Sequence, residues 1–160
     1  MGGAIFLLLR YGVAGKARKV KKVYVGVGGK ARLVYVAYIP VTSIKLGWEA
    51  NYNWGTGESD TYHGTITAQL TPANATDQKV TWSITKNGST MHSMIISTNT
   101  SLVCVVCPEV WYGGECILAA KSTNGVVSYL YCRCDGMGGR GWTFIPVSNP
   151  DKFPRTARRN

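Results

Sequence analysis

Acidic residues are scarce in this chain and missing from its first forty positions. Against 18 Lys and Arg stand 8 Asp and Glu, and residues 1–40 carry Arg10, Lys16, Arg18, Lys19, Lys21, Lys22, Lys30 and Arg32 with no carboxylate to offset them. Histidine is rarer still: His63 and His92 are the two imidazoles, and neither stands near a Ser or Cys in a nucleophile arrangement. The carboxylates are scattered singly, which leaves no pair for acid–base work. These shortages argue against an enzyme, so no catalytic residue and no cofactor is assigned. Long hydrophobic runs are also lacking. The apolar run at residues 4–9 falls far below the ~20 residues a membrane helix requires. Only the free amine precedes it where a secretion signal would carry Lys or Arg, so no membrane partner is expected.

What is present is unevenly placed. Residues 1–40 carry +8, residues 41–134 hold five bases against six acids for −1, and residues 135–160 carry +3, which together make the net +10. A near-neutral middle therefore lies between two basic ends, and basic ends of this kind meet nucleic acid, an anionic surface or an acidic protein partner.

The basic leader is repetitive. Residues 12–20 and 26–34 match at seven of nine positions with a period of 14. Each copy sets a glycine-rich pair, Ala14-Gly15 or Gly28-Gly29, between short runs rich in Val and Tyr. Glycine supplies the positive φ of a tight hairpin turn, and β-branched and aromatic residues suit the flanking strands. The prediction is a pair of small β-hairpins. Neither copy fits the phosphate-binding loop, because the terminal Lys-Ser or Lys-Thr and the following helix are missing. A two-stranded hairpin is marginal alone in water, so these pieces call for a surface to lie on, either the adjacent domain or another subunit. The residues expected to meet it are Lys16, Arg18, Lys19, Lys21, Lys22, Lys30 and Arg32, with Tyr24 and Tyr35.

From residue 40 to residue 134 the chain reads as successive short strands: residues 41–46, 65–70, 80–84, 94–96, 102–106, 116–120 and 126–132. Turn residues separate them, among them Pro72, Asn87-Gly88, Pro108, Gly113-Gly114 and Asn124-Gly125. Residues 80–84 place Val80, Trp82 and Ile84 on one face. About seven strands with one buried Trp is the pattern of an immunoglobulin-like β-sandwich. Five cysteines, Cys104, Cys107, Cys116, Cys132 and Cys134, fall within it, and an odd count without a secretory route argues for reduced thiols. A four-thiol zinc site from Cys104, Cys107, Cys132 and Cys134 is the alternative. Cys-x-Cys on a strand points both side chains to one face and makes no metal knuckle, so no metal site is assigned.

The run Pro72-Ala73-Asn74-Ala75-Thr76 followed by Val80-Thr81-Trp82, with residues 41–46 before it and residues 114–120 and Asn124-Gly125 after it, resembles the bacterial Ig-like group 2 family over residues 40–134. Two stretches depart from that pattern: residues 48–63, rich in Asn, Gly and Tyr, and residues 103–114, with cysteines and Trp111-Tyr112. Both are expected as loops making contacts private to this protein. Trp48, Tyr52, Trp54 and Tyr62 are the candidates for surface recognition. The repeat of the leader resembles short motifs of tailed-bacteriophage structural proteins, where they precede Ig-like modules.

Together the two resemblances imply an all-β, non-enzymatic accessory structural protein of a virion, assembled in the bacterial cytoplasm: a head decoration, neck, tail or fibre component. Its partners would be other virion proteins in a multi-copy symmetric assembly. The expected organisation is a basic hairpin arm at 1–39, the sandwich at 40–134, and a C-terminal extension at 135–160. In that extension the apolar residues 142–147 follow a glycine linker and either pack on their own sandwich or dock on a neighbour. Two other readings remain: a nucleic-acid-binding protein whose arm tracks phosphates, or a surface adhesin that stacks a host-surface glycan on the aromatic loop.

Overall fold

The computed structural model describes residues 10–13, 16–19, 22–27, 29–52, 62–88, 91–110, 112–135 and 141–154. Every regular element among them is a β-strand, and every pairing is antiparallel. The chain divides into two compact units, Met1–Tyr38 and Ile39–Asn160.

The first unit contains four strands, β1 (Arg10–Val13), β2 (Lys16–Lys19), β3 (Lys22–Val27) and β4 (Lys30–Val36). β1 pairs with β2 and β3 with β4, giving two separate hairpins. The repeat maps onto them position for position: Val13 faces Lys16 and Gly12 faces Ala17 in one, Val27 faces Lys30 and Gly26 faces Ala31 in the other. In the second hairpin Gly29, next to Lys30, has φ 73°, a conformation that costs a residue with a Cβ and costs glycine nothing. The 14-residue period is thus the spacing between equivalent turn-flanking pairs, Val13 with Lys16 and Val27 with Lys30.

The second unit contains β5 (Ser43–Tyr52), β6 (Tyr62–Thr71), β7 (Val80–Asn87), β8 (Met94–Asn99), β9 (Val103–Pro108), β10 (Gly114–Ser122), β11 (Val127–Cys134) and β12 (Trp142–Val147). They form two four-stranded sheets, ordered β5-β6-β9-β8 and β12-β11-β10-β7. Alternation sends one side chain in two toward a shared core. That core draws Ile44, Ile66, Ala68, Met94, Cys104 and Val106 from the first sheet, and Val80, Trp82, Cys116, Leu118, Ala120, Leu130 and Cys132 from the second. Trp82 is buried, and its indole N–H donates to the Thr100 carbonyl oxygen at 3.1 Å.

Two expectations need correction, and one left open between two alternatives is decided. Residues 48–52 and 62–63 are strand, because β5 and β6 pair without a break from Ser43 with Thr71 to Tyr52 with Tyr62; only residues 53–61 connect them. The loop expected at residues 103–114 conflicts with the strand that alternation gives at 102–106; residues 103–108 are strand, since β9 is held on both sides by β6 and β8. The apolar stretch after the glycine linker takes the first of its two alternatives. As β12 it pairs with β11 from Cys134 with Trp142 to Tyr129 with Val147, so it is an eighth strand of the same unit.

β10 is buried on both faces. Cys116, Leu118 and Ala120 point into the core, while Ile117 and Ala119 point outward yet are 0% and 4% exposed. The segment after β12 folds over that outer face. Phe153 meets the Tyr131 ring edge-on at 5.7 Å, and the Lys86 ammonium lies 5.3 Å from the Phe153 ring centroid. Beneath it Tyr131 donates its hydroxyl to Glu115 Oε2 at 2.8 Å, which accounts for a buried carboxylate.

Candidate functional site

The entry of the chain into the second unit gives that unit a polarity. The Ile39 N–H donates to Thr76 Oγ1 at 2.7 Å and the Thr76 N–H returns a bond to the Ile39 carbonyl oxygen at 2.9 Å. The Asn124 amide donates to the Val41 carbonyl oxygen at 2.8 Å, and the Thr42 N–H to that of Thr71 at 2.7 Å. Residues 39–42 are therefore pinned at the end of the sandwich formed by the connections at 72–79, 100–102 and 123–126. The antiparallel strands carry the connections at 53–61, 88–93, 109–113 and 135–141 to the opposite end.

Near that far end the two sheets close against each other through aromatic rings. Trp48 on β5 lies 5.9 Å from Phe144 on β12, and Phe144 stacks parallel on Trp142 at 5.3 Å. Gly64 on β6 makes the approach possible, since a Cβ there would stand 2.7 Å from Phe144 Cζ. Trp48 remains 43% exposed, so one of the four aromatic recognition candidates offers accessible surface while also serving packing. Tyr52 and Tyr62 occupy facing positions at the ends of β5 and β6, where only their strand placement is described. Trp54 lies outside the described residues. The structure adds two residues to this end. His92 and Tyr112 approach with ring centroids 6.1 Å apart, and Tyr112 is 59% exposed.

The second candidate surface is the β3–β4 hairpin. Lys22 and Lys30 are exposed, and Tyr24 is 56% exposed. Lys22 faces Val36 and Tyr24 faces Leu33 across the ladder, and Leu33 and Val36 are both exposed as well. One hairpin face therefore combines a cation with three apolar side chains. Arg32 and Tyr35 lie on β4 opposite Val25 and Val23; Lys16, Arg18 and Lys19 lie on β2. For these five the strand position alone is described, and Lys21 lies outside the described residues. Leu33 and Val36 were not singled out from sequence. The available signal was the apolar run Leu33-Val34-Tyr35-Val36 directly after Lys30 and Arg32.

Four of the five cysteines sit in the core rather than at either surface. Cys104, Cys116, Cys132 and Cys134 are buried, and Cys107 is half-buried because it lies on the other face of β9. Cys116 and Cys132 are direct cross-strand partners. Burial pushes the Cys104 thiol up to about 12, with Cys116 and then Cys107 adding to the effect. Burial also raises Cys132, with hydrogen bonding and charge coupling to Cys116 next in weight. These groups are protonated and closed to solvent at neutral pH, so they behave as small apolar side chains. Among the described residues no group of three or more His, Cys, Asp and Glu is placed to hold a metal ion.

No family model matches the chain, and no curated protein or solved structure matches it.

Proposed function

We propose that the chain is a non-enzymatic accessory structural protein of a tailed-phage virion. Its N-terminal hairpins fasten it to neighbouring subunits, and an immunoglobulin-like sandwich is displayed from that anchor. The observation that carries this reading is the joining of two unlike units in one chain. One is an acid-free repeat of hairpins with exposed cations and apolar side chains; the other is a near-neutral sandwich with its own core. The strand order supports the immunoglobulin-like assignment. With β5 to β11 taken in chain order as A to G, the sheets are ABED and CFG, the order of a seven-stranded immunoglobulin domain, with β12 added beyond G. The buried Trp82 on the third strand of that series fits the same pattern.

The exposed Leu33 and Val36 favour a protein surface over a phosphate backbone as the target of the arm, because apolar contact gains nothing from a phosphate. The test is mass spectrometry of purified virions whose genome encodes the chain. The chain is expected in stoichiometric amounts, and deletion of residues 1–38 is expected to remove it from the particle. Absence of the full chain from virions refutes the reading.

A further inference from the structure

The two hairpins of the first unit share a sequence pattern and a register, and they differ most at one rung of the ladder. In the second hairpin Tyr24 stands opposite Leu33, and both side chains are exposed. The equivalent rung of the first, 14 residues earlier, is Arg10 opposite Lys19. The next rung sets Tyr11 opposite Arg18, and the rung beside the turn sets Val13 opposite Lys16. The residues of β1 and β2 therefore include four bases, Arg10, Lys16, Arg18 and Lys19, and the first forty residues offer no carboxylate to pair with them. Directly opposite positions of an antiparallel ladder lie ~5 Å apart, and like charges there oppose the pairing. A two-stranded hairpin has little stability with which to offset that repulsion. An anion lying along the ribbon relieves it.

We propose that the β1–β2 hairpin binds the phosphodiester backbone of a nucleic acid, while the β3–β4 hairpin keeps the protein-docking surface. Linear charge density selects this anion. Four rungs at a rise of ~3.4 Å make a ribbon ~14 Å long, so its bases stand at about one per 3.5 Å. One strand of a nucleic acid carries one negative charge per ~3.4 Å of duplex axis. The acidic surface of a protein is more dilute, since charged residues of both signs make up only about a quarter of a typical sequence.

The second hairpin serves as an internal comparison. Its exposed apolar side chains gain nothing from a phosphate. On the matching rung of the first hairpin Arg10 stands in place of Tyr24 and Lys19 in place of Leu33, so the repeat has been turned from apolar to cationic at one position while its turn-flanking rungs are kept. Contacts of this kind are made with phosphates rather than base edges, so binding is independent of base sequence. Phosphate binding is measured on the isolated chain and incorporation on the particle, so failure of either leaves the other standing.

Fluorescence anisotropy tests it, with the full chain titrated into labelled single-stranded DNA of about 20 nucleotides and mixed sequence, longer than a typical single-strand site. Four phosphate contacts give a slope of log K against log salt near −3, so affinity is expected to fall roughly fiftyfold between about 50 and 200 mM salt. Arg10→Tyr with Lys19→Leu gives the first hairpin the rung of the second, and it is expected to halve the slope and weaken binding at least tenfold at about 50 mM salt. Arg10→Gln with Lys19→Gln adds no apolar surface and is expected to do the same. Lys45→Ala with Lys79→Ala removes the same net charge from exposed positions of the second unit, and it is expected to leave binding within about twofold because distant charges are screened. Polyglutamate at an equal concentration of negative charge is expected not to compete. Absence of binding at about 50 mM salt overturns the proposal. So does an equal loss through the Lys45 and Lys79 pair, which would make the effect one of net charge alone, and so does equal competition by polyglutamate, which would make an acidic protein the ligand.

Discussion

Cys104, Cys116 and Cys132 bring thiols from three strands and both sheets into the middle of one core. Because the folded chain holds the Cys104 proton to about 12 against 9.0 for an ordinary thiol, it binds that proton more tightly than the unfolded chain does. The corresponding stability is complete below pH 9 and is lost as the pH climbs toward 12. Cys132 and Tyr131 are raised in the same direction, each chiefly by burial. Thermal denaturation under reductant should therefore give a midpoint that is flat to about pH 9 and falls steeply above it. Cys104→Ala should cost about 1–2 kcal/mol at neutral pH through the small void it leaves, yet show a shallower alkaline slope. An alkaline slope unchanged in that variant would refute the assignment. Gly64 gives a second residue-scale prediction. A methyl group there must displace Phe144, whose Cζ would stand 2.7 Å away, so Gly64→Ala should destabilise by about 1–3 kcal/mol. Combining it with Phe144→Leu should recover part of the loss in denaturant titrations. The inward-facing thiol pair Cys132 and Cys134 was legible in the Cys-x-Cys spacing. The role of Gly64 was not, because the ring that needs the space comes from β12, far along the chain.

At the scale of the element, local alternation made most of the strands readable, and non-local pairing decided the rest. The seven strands expected between residues 40 and 134 all form as β5 to β11, because apolar residues recur every second position and glycine or proline turns separate them. Residues 48–52 escaped because they open the stretch 48–63, whose Asn, Gly and Tyr content suits a loop; they are strand because each residue has a partner on β6. β12 was recognised as an apolar stretch needing cover, but nothing local says which surface covers it. The edges show how the fold remains closed to stray strands. Pro146 lies within β12, and Asn87 clamps the first residue of β8. Asn87→Ala removes two hydrogen bonds and leaves the backbone groups of Met94 without that partner, so it should lower stability by about 1–3 kcal/mol. It should also raise hydrogen exchange at Met94. Asn87→Asp retains the acceptor but not the donor and should fall between the two. Equal exchange in all three proteins would show that the clamp contributes nothing.

On the scale of the whole molecule, charge and polarity divide the work. Cationic residues without acids crowd the first unit, while the chain enters the second unit at the end opposite the connections at 53–61 and 109–113. If the arm anchors and the far end is displayed, additions at the two ends should have opposite consequences. A small domain inserted between Tyr52 and Tyr62 should be tolerated and carried into particles at normal copy number, because loop length costs little and that end takes no part in anchoring. Replacing Lys22 and Lys30 with Glu reverses charge at two exposed cations of the hairpin, one on each of its faces. Incorporation should then drop sharply, and the parent's own attachment to arm-free particles should weaken as salt is raised, since exposed ion pairs are screened within about 10 Å at 0.1 M. Leu33→Glu should reduce attachment at every salt concentration, because it removes apolar contact rather than charge. The combination separates the two contributions to anchoring. Loss through the lysine replacements alone would mean that the hairpin acts as a charged tether. Loss through Leu33→Glu alone would mean a seated strand pair, and unchanged attachment in both would move the anchor away from this hairpin altogether.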